Sequence, residues 1–407
     1  GVYMSDTYKP IRITDRVYWV GAIDWTIRDF HGYTTKRGST YNAYLVLADR
    51  ITLVDTVKAP FMDEMLSRIR GLVDPGKIDY IVSNHAEMDH SGSLRAVIDH
   101  VKPRGVFASV MGAKALAEHR LVDGGITPLK DGEELSLGNM RLRFMETRML
   151  HWPDSMFSYL EEEKILFSQD AFGMHLASAE RFVDEVAPDV IEYEAATYFA
   201  NILLPYSSLI LKLLDRVSAS GLAIDVVAPD HGPVWRRDID RVLRWYRAWA
   251  EQKPTDKAVI VYHTMWHSTE LMARALEEGL IAGGARVKVM SMDAHHRSDV
   301  AYEVLDAGAL VAGSPTLNNN MLPSMADVLT YLKGLRPVNL VGASFGSYGW
   351  SGESVKQVQD TLAEMKVELV SEPVKSKYVP DEGTLKACFD LGSKIALRLK
   401  EHSGTPG

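Results

Sequence analysis

The chain has 407 residues, of which 46% are hydrophobic and 24% charged, and its formal net charge is −9. This length exceeds what one hydrophobic core supports, so we expect two or three domains of a soluble globular protein. The acidic balance argues against general nucleic-acid binding, because neutralising phosphates requires a basic surface. Cys388 is the only cysteine, which excludes a disulfide framework and an iron–sulfur centre within one chain. Any electrons that the protein uses must therefore come from a separate partner.

The sequence contains no run of 18 apolar residues, so it predicts no membrane-spanning helix. Its amino end carries several charged residues before any apolar segment, and no signal peptide is visible. We therefore expect a cytoplasmic protein that does not bind a membrane.

The first part of the chain has the pattern of a β-rich domain. Strands are predicted at 17–25, 41–47, 51–55, 105–109, 140–146 and 164–168, and helices at 61–73 and 111–119. We expect two sheets packed face to face with helices on the outside. A polar, proline-containing break at 252–257 ends this part and predicts domains at 1–252 and 253–407.

Residues 79–91 read DYIVSNHAEMDHS and place four potential metal ligands directly after a short apolar strand. In an extended chain, side chains two residues apart point the same way, so His85, Glu87 and Asp89 are expected to converge beyond the strand end. His90 joins them only if the chain turns there, and Asp89 is a candidate N-cap of a following helix. The alternative is a solvated polar loop, but two histidines and two carboxylates at this spacing favour a metal site.

Three more ligand-type side chains follow predicted strands. His151 comes a short loop after strand 140–146, Asp170 follows strand 164–168, and His231 follows a strand that stops at Pro229. Each alone is more often a capping or surface residue. Together they fit a metal site assembled from separate segments that meet at one edge of a sheet.

After the break, the pattern changes to regular strand–helix alternation. Strands are predicted at 258–262, 286–290, 309–313, 339–343 and 366–370, and helices at 270–280, 298–306, 324–332, 352–365 and 383–400. Alternation of this length predicts a doubly wound parallel sheet, whose ligands bind beyond the carboxyl ends of the strands.

Three loops at that edge have a composition suited to a ligand. Loop 264–269 (TMWHST) offers hydroxyls and helix N-terminal N–H groups for a phosphate, loop 314–320 (SPTLNNN) offers amides, and loop 344–350 (SFGSYGW) offers three aromatic rings for a flat ligand. The alternative is ordinary turns, since a Ser or Thr at a helix start is usually only a cap. Neither a G-x-G-x-x-G nor a P-loop motif occurs after a strand, which disfavours a dinucleotide or nucleoside triphosphate.

The ligand order His-x-Glu-x-Asp-His, followed by a distant His, Asp and His, resembles that of the metallo-β-lactamase fold. Glu87 replaces the usual second histidine, and this hard carboxylate favours iron or manganese over zinc. The segments SPTLNN and FGSYGW are similar to those of flavodiiron proteins (A-type flavoproteins), and the three loops resemble the FMN site of flavodoxin. The resemblance covers essentially the whole chain.

The resemblance implies an α/β protein with an N-terminal metallo-β-lactamase-like αββα sandwich and a C-terminal flavodoxin-like doubly wound parallel sheet. It further implies two non-haem irons per chain, one held by His85, Glu87 and His151 and the other by Asp89, His90 and His231, with Asp170 as the bridge. In some members the histidine that matches His90 does not coordinate iron, so this position stays open.

The resemblance also implies one FMN per chain. The implied contacts are Thr264, Met265, Trp266, His267, Ser268 and Thr269 in the first loop, Ser314, Pro315, Thr316, Asn318 and Asn319 in the second, and Ser344, Phe345, Gly346, Ser347, Tyr348, Gly349 and Trp350 in the third. Trp350 is equally a candidate for the junction between flavin and metals and an ordinary packing residue.

The activity that the resemblance implies is reduction of O2 to water, of NO to N2O, or of both, in a head-to-tail homodimer or a dimer of dimers. Electrons would reach FMN from rubredoxin or reduced coenzyme F420. His31 and Tyr198 are candidate proton donors near the metals, although core packing is at least as good an explanation, and His175 and His263 have no assigned role. Two alternatives stay open: a zinc-dependent hydrolase of the metallo-β-lactamase type, and an FMN electron carrier without di-iron catalysis.

Overall fold

The computed structural model describes residues 6–122 and 124–404, which form two compact units. The first unit contains most of the described chain up to Arg247, and the second contains most of it from Ala248 onward. Two short segments of the earlier chain, Gly32–Thr34 and Phe199–Ser207, also belong to the second unit. The division between domains at 252/253 stays a prediction.

The first unit contains two β-sheets. The seven-stranded sheet has the order Ile11–Arg12, Val17–Trp19, Tyr44–Val46, Thr52–Val54, Tyr80–Ser83, Gly105–Ser109 and Ile126–Leu129. The five-stranded sheet has the order Glu134–Ser136, Arg141–Glu146, Met156–Leu160, Ile165–Gln169 and Val226–Pro229. Residues of both sheets, such as Tyr44 and Phe167, belong to one buried apolar cluster, so the sheets pack face to face as expected.

Helices flank the sandwich. Residues of the helices Met62–Arg70, Leu94–Val101 and Val110–Glu118 share a second buried cluster with the seven-stranded sheet. The helices Pro188–Tyr198, Ser207–Ala219 and Ile239–Glu251 follow later in the chain, and the one-turn helix Met88–Ser91 lies within the ligand motif. Shorter helical turns occur at Ala59–Phe61, Pro75–Lys77, Val183–Glu185, Phe199–Leu203 and Leu204–Tyr206.

The strand predicted at 17–25 is wrong in one respect, because it is broken after Trp19. A Cβ atom at Gly21 would lie 2.3 Å from the carbonyl oxygen of Tyr41, so the chain makes a close approach there that only glycine permits. Beyond the break, Ala22–Asp24 pairs with Ser39–Tyr41 in a separate two-stranded ribbon. The predicted strand 41–47 is divided in the same way, at Asn42.

The second unit has the expected doubly wound sheet. Its order is Arg286–Ser291, Lys257–Tyr262, Ala309–Leu317, Val341–Tyr348 and Glu368–Leu369, so the strands follow the parallel flavodoxin-like order two-one-three-four-five. Val374–Lys377 also pairs with Val341–Tyr348, and Asn320–Met321 pairs with Ala309–Leu317. The helices are Ser268–Ala282, Arg297–Val304, Pro323–Leu335, Glu353–Glu364 and Glu382–Ser403. This order places a ligand site beyond the carboxyl end of Lys257–Tyr262, because on either side of this strand the strand order runs in opposite directions.

One helical stretch, Pro188–Ala219, is long and apolar enough by length and composition to cross a membrane, but 61% of its most apolar window is buried inside the fold. Core helices of soluble proteins pass the same test, so this stretch is weak evidence for a membrane span.

Candidate metal centre and flavin pocket

The ligand motif begins as an extended chain and continues as one turn of helix. Strand Tyr80–Ser83 delivers His85, and Glu87 occupies the N-cap position of helix Met88–Ser91 in an extended conformation. Asp89 and His90 lie inside that turn, so the chain does turn at His90. The prediction that Asp89 shares an extended face with His85 and Glu87, or caps a helix, is therefore wrong.

The four residues His85, Glu87, His151 and Asp170 form a first cluster. The Nε2 atoms of His85 and His151 lie 3.2 and 3.1 Å from Glu87 Oε2. The same two nitrogens lie 3.2 and 3.0 Å from Asp170 Oδ2. Side chains from three separate strand ends thus present their ligand atoms to a single point.

The three residues Asp89, His90 and His231 form a second cluster. Asp89 Oδ2 lies 3.0 Å from His231 Nε2 and 3.2 Å from His90 Nε2. The other oxygen of Asp170, Oδ1, lies 3.1 Å from His90 Nε2 and 3.5 Å from His231 Nε2. Asp170 therefore presents one carboxylate oxygen to each cluster, as a bridging ligand does.

These distances fit ligands of shared metal ions. Two ligand atoms about 2.1 Å from one metal and at right angles to each other are about 3.0 Å apart. Both oxygens of Asp89 are buried without a hydrogen-bond partner among the described residues, although His231 Nε2 is within 3.0 Å. The two groups are thus poorly aligned for a bond with each other, which is the arrangement expected when both point at a third atom.

Protons and a metal compete for these atoms. Although burial raises it, the nearby His85 and His151 hold the pKa of Asp170 well below its usual range. Although burial lowers it, hydrogen bonds to Asp170 and Glu87 raise the pKa of His151 to about 9. A metal bound at neutral pH must therefore displace a proton from His151.

The second unit contains a cavity of about 570 Å³ beyond the carboxyl ends of the strands. Twelve predicted flavin contacts line it: Thr264, Met265, Trp266, Ser268, Pro315, Thr316, Asn318, Asn319, Ser347, Tyr348, Gly349 and Trp350. Ser351 and Tyr378 also line the cavity, and neither was predicted from the sequence. Tyr378 follows the unpredicted strand Val374–Lys377, so its place depends on a strand pairing that the sequence did not reveal.

The other predicted contacts support the loops instead of lining the cavity. Thr269 and Ser347 share a hydrogen bond of 2.8 Å between their hydroxyls, and Phe345 lies in the buried core. Backbone carbonyls accept hydrogen bonds from the Ser314 and Ser344 hydroxyls, and His267 pairs with Glu270. Gly346 lies against strand Ala309–Leu317, where a Cβ atom would be 2.1 Å from a carbonyl oxygen.

The cavity fits a flavin mononucleotide by its chemistry. Thr264 Oγ1 is buried and, within the described chain, lacks a hydrogen-bond partner. The loop that carries it leads into helix Ser268–Ala282, whose N-terminal N–H groups suit a phosphate. The rings of Trp266, Trp350 and Tyr378 line the cavity and remain largely exposed, as expected for residues that contact a flat aromatic ligand.

Comparison with known proteins gives the same division of the chain. Residues 40–232 match the family described as ODP family beta lactamase, and residues 260–392 match flavodoxin. A nitric oxide reductase of Moorella thermoacetica is 46% identical over 397 residues, which cover 97% of this chain and 100% of that protein. The solved structure of rubredoxin oxygen:oxidoreductase from Desulfovibrio gigas has a TM-score of 0.95 and 45% identity, and covers 97% of this chain and 99% of its own. The flavodiiron protein of Giardia intestinalis has a TM-score of 0.93 and 32% identity over 99% of both chains.

The chain belongs to the flavodiiron proteins. Its first unit is the metallo-β-lactamase-like domain with a His, Asp and Glu metal site, and its second unit is the flavodoxin domain, which implies flavin binding. The named relatives are oxidoreductases that act on O2 or NO. The predicted family, fold class and enzyme class are thereby confirmed.

The orienting partners of the histidines in this flavodiiron protein were missed from the sequence. His85 Nδ1 lies 3.2 Å from Asp154 Oδ2, and the Ala86 N–H donates to the same oxygen. His231 Nδ1 donates to the backbone carbonyl of Thr40 at 2.6 Å. Such partners fix the ring and leave Nε2 for a metal. Asp154 lies three residues after His151, a signal that could have been used, whereas Thr40 is distant in sequence.

The predicted proton donors both lie near the metal ligands. His31 is 80% exposed, and its Nε2 atom lies 3.7 Å from Glu87 Oε1 in the first cluster. Tyr198 is buried, with its ring centroid 6.1 Å from that of His231 in the second cluster. His175, which had no assigned role, is also buried here, with its ring 4.6 Å from that of His231 and Nδ1 2.7 Å from Ser39 Oγ. The role of each in proton transfer stays a prediction.

Proposed function

We propose that this flavodiiron protein reduces O2 to water or NO to N2O at a pair of non-haem irons that receive electrons through FMN. The observation that carries the proposal is the position of Asp170 between two clusters of histidines and carboxylates. The three carboxylates, of which those of Asp89 and Asp170 are buried, would offset much of the charge on two ferrous ions. Glu87 in a histidine-rich site favours iron or manganese over zinc.

The ligands are assigned by cluster. His85, Glu87 and His151 would hold one iron and Asp89, His90 and His231 the other, with Asp170 between them. His90 Nε2 faces Asp89 and Asp170 at 3.2 and 3.1 Å, which supports its role as a ligand here. When bound, such a metal pair acts as a Lewis acid that stabilises negative charge on the oxygen of a bound diatomic molecule.

Electron counting explains why both cofactors are needed. Reduction of O2 to two waters takes four electrons, and joining two NO molecules into N2O takes two. Two ferrous ions held by the seven ligands would supply two electrons, and a reduced flavin in the cavity would supply two more. The residues of the chain contribute by binding and positioning: Thr264 and Ser268 would hold the FMN phosphate, and Trp350 and Tyr378 would contact its ring.

The names of the relatives support two electron donors. A relative in Megalodesulfovibrio gigas that is 45% identical is called rubredoxin-oxygen oxidoreductase, and one in Methanothermobacter marburgensis that is 36% identical is called coenzyme F420H(2) oxidase. These 407 residues contain a single cysteine, too few for a rubredoxin site among them, and we propose an external rubredoxin or reduced coenzyme F420 as the electron donor. We also propose a cytoplasmic location and a head-to-tail homodimer, or a dimer of dimers, in which the FMN of one chain serves the metals of its partner.

The experiment is anaerobic reduction of the purified protein followed by mixing with O2 and, separately, with NO. Metal and flavin analysis should first give two irons and one FMN per chain. We expect reoxidation by at least one of the two gases, with water or N2O as the product. Failure of both gases to reoxidise the flavin would reject the proposal. Zinc without iron would favour the hydrolase, and FMN with no bound metal would favour the electron carrier.

A further inference from the structure

Trp152 packs against two members of the first cluster. The centroid of its ring lies 5.2 Å from that of His85 and 6.0 Å from that of His151, and the two histidine centroids are 5.1 Å apart. The interplanar angles are 82°, 66° and 71°, so each pair of rings meets edge to face. Edge-to-face contact is a favoured geometry for aromatic pairs. The three rings therefore form a closed triangle in which a change in one displaces the other two.

In this triangle, Trp152 lies between the buried ligand His85 and the protein surface. His85 is completely buried, whereas Trp152 is half-buried and stacks on the exposed ring of His119, with centroids 5.9 Å apart and planes 6° from parallel. Trp152 is thus in contact with a buried ligand on one side and with a surface residue on the other. Removing its indole would open a path for water toward His85.

The second cluster has different aromatic neighbours. The ring of His231 contacts those of Phe30, Tyr41 and Tyr198, with centroids 6.3, 6.0 and 6.1 Å away. Among the residues that the structure describes, the ring contacts of Trp152 are with His85, His119 and His151 and include neither His90 nor His231. Apart from the contact between the rings of His85 and His90, whose centroids lie 5.7 Å apart, the described ring contacts of the two clusters are therefore with different aromatic residues.

We propose that Trp152 is a positioning residue for the first cluster: it fixes the rings of His85 and His151 and retains the metal held there. The inference rests on the proposed di-iron function. The contact with Asp154 holds His85 at Nδ1 but still allows the ring to rotate about that axis, and the ring of Trp152, which is nearly perpendicular to that of His85, opposes this rotation. Loss of an orienting partner of a metal ligand typically weakens metal binding about 10- to 100-fold.

The test compares metal retention at the two positions in the full-length iron-loaded protein. Wild type, Trp152→Ala, Trp152→Phe and His119→Ala are exposed to a chelator, and the occupancy of each position is measured by anomalous diffraction at the iron edge. We expect Trp152→Ala to lose the first-cluster iron about tenfold faster, with the second-cluster iron retained as an internal control for folding. Trp152→Phe should restore most of the retention because it keeps an aromatic ring at this position. His119→Ala should resemble wild type because it leaves Trp152 in place.

The outcomes separate this inference from the proposed function. A wild-type protein that lacks two irons per chain overturns the proposed function. If wild type holds two irons, unchanged retention in Trp152→Ala, or equal loss from both positions, overturns the role of Trp152 alone. Should Trp152→Ala fail to fold, Trp152→Leu keeps an apolar side chain at this position without the aromatic ring, and the same selective loss is expected.

Discussion

Asp170 presents its two carboxylate oxygens to different clusters, at 3.0 Å from His151 and 3.1 Å from His90. A buried carboxylate is costly unless charged or hydrogen-bonding groups surround it. Here the surrounding groups are histidines, which are neutral as metal ligands, so in the loaded protein the metals must supply the positive charge. A bound metal pair therefore explains the presence of this buried carboxylate more directly than a role in stabilising the fold does.

The substitution Asp170→Asn tests this role without changing the side-chain volume. An amide has only one good acceptor oxygen and carries no charge, so it cannot bridge two cations. We expect fewer than two irons per chain and a loss of at least about 100-fold in O2 or NO reduction, while FMN content and its reduction by dithionite stay unchanged. The control is Asp184→Asn, which alters a surface acid paired with Arg236. Normal gas reduction by Asp170→Asn would contradict the bridging assignment.

The pKa of His151 predicts how the stability of the metal-free protein depends on pH. The pKa of His151, lowered by burial but raised overall by its bonds to Asp170 and Glu87, is about 9, above its ordinary value of 6.5. The stability that this charge contributes is complete below pH 6.5 and is lost as pH rises through 9. Urea denaturation of the metal-free protein at pH 6.5, 7.5 and 9 should show a falling free energy of unfolding. Iron affinity should rise over the same range, because fewer protons are displaced. A flat stability profile would show that these pairs are absent.

All seven predicted ligands lie in the two clusters. They could be predicted because each follows a strand, and strand ends can be recognised in the sequence. The turn that brings Asp89 and His90 into the site could not be predicted, because four residues are too few to show a helical period. Thr40 could not be predicted either. It lies 191 residues from His231 in the sequence, and the pairing depends on how two sheets face each other.

At the scale of elements, the second unit was predicted more completely than the first. Its central parallel strands are buried on both faces and read as nearly continuous apolar runs, such as Lys257–Tyr262. The first unit uses strands of three residues, such as Val17–Trp19 and Ala22–Asp24, which are too short for their alternation to be read. Met156–Leu160 was missed although every residue in it is buried, because Ser158 interrupts the apolar run. Its hydroxyl donates to Asn84 Oδ1, so burial of this polar residue is compensated.

Thr264 lies in the loop before helix Ser268–Ala282, and its substitution is predicted to have a specific effect on flavin binding. Thr264→Val removes the buried unpartnered hydroxyl and keeps the shape of the side chain. A hydrogen bond to a charged group contributes about 1.5–3 kcal/mol, so the dissociation constant for FMN should rise at least about tenfold. Riboflavin lacks the phosphate, and its affinity should not change. Thr361→Val, which removes a hydroxyl bonded within helix Glu353–Glu364, is the matched control. Fluorescence titration of wild type and the two variants with each flavin measures all six affinities, and equal weakening for both flavins in Thr264→Val would place the phosphate elsewhere.

At the scale of the whole molecule, the metal ligands and the flavin cavity lie in different structural units of one chain. Complete reduction of O2 needs electrons from both, since neither cofactor alone supplies four. A homodimer in which each flavin serves the partner's metals meets this need, and closed two-fold assemblies are the commonest oligomers. The sequence could predict the two units from their patterns, but no local pattern reports the pairing of chains.

Mixed dimers distinguish transfer between chains from transfer within a chain. One chain carries Asp170→Asn and keeps its FMN; the other carries Thr264→Glu, whose carboxylate repels the FMN phosphate, and keeps its metals. Each variant alone should be inactive. Co-expression with two affinity tags yields mixed dimers, and in a head-to-tail arrangement the intact flavin of the first chain faces the intact metals of the second. Random pairing in equal amounts should then restore about one quarter of wild-type O2 or NO reduction, because half of the dimers are mixed and each has one working pair of sites. If electrons pass only within a chain, none of these dimers has a working pair of flavin and metals. The head-to-tail arrangement would be rejected if purified mixed dimers stayed inactive although iron and FMN were present on the expected chains.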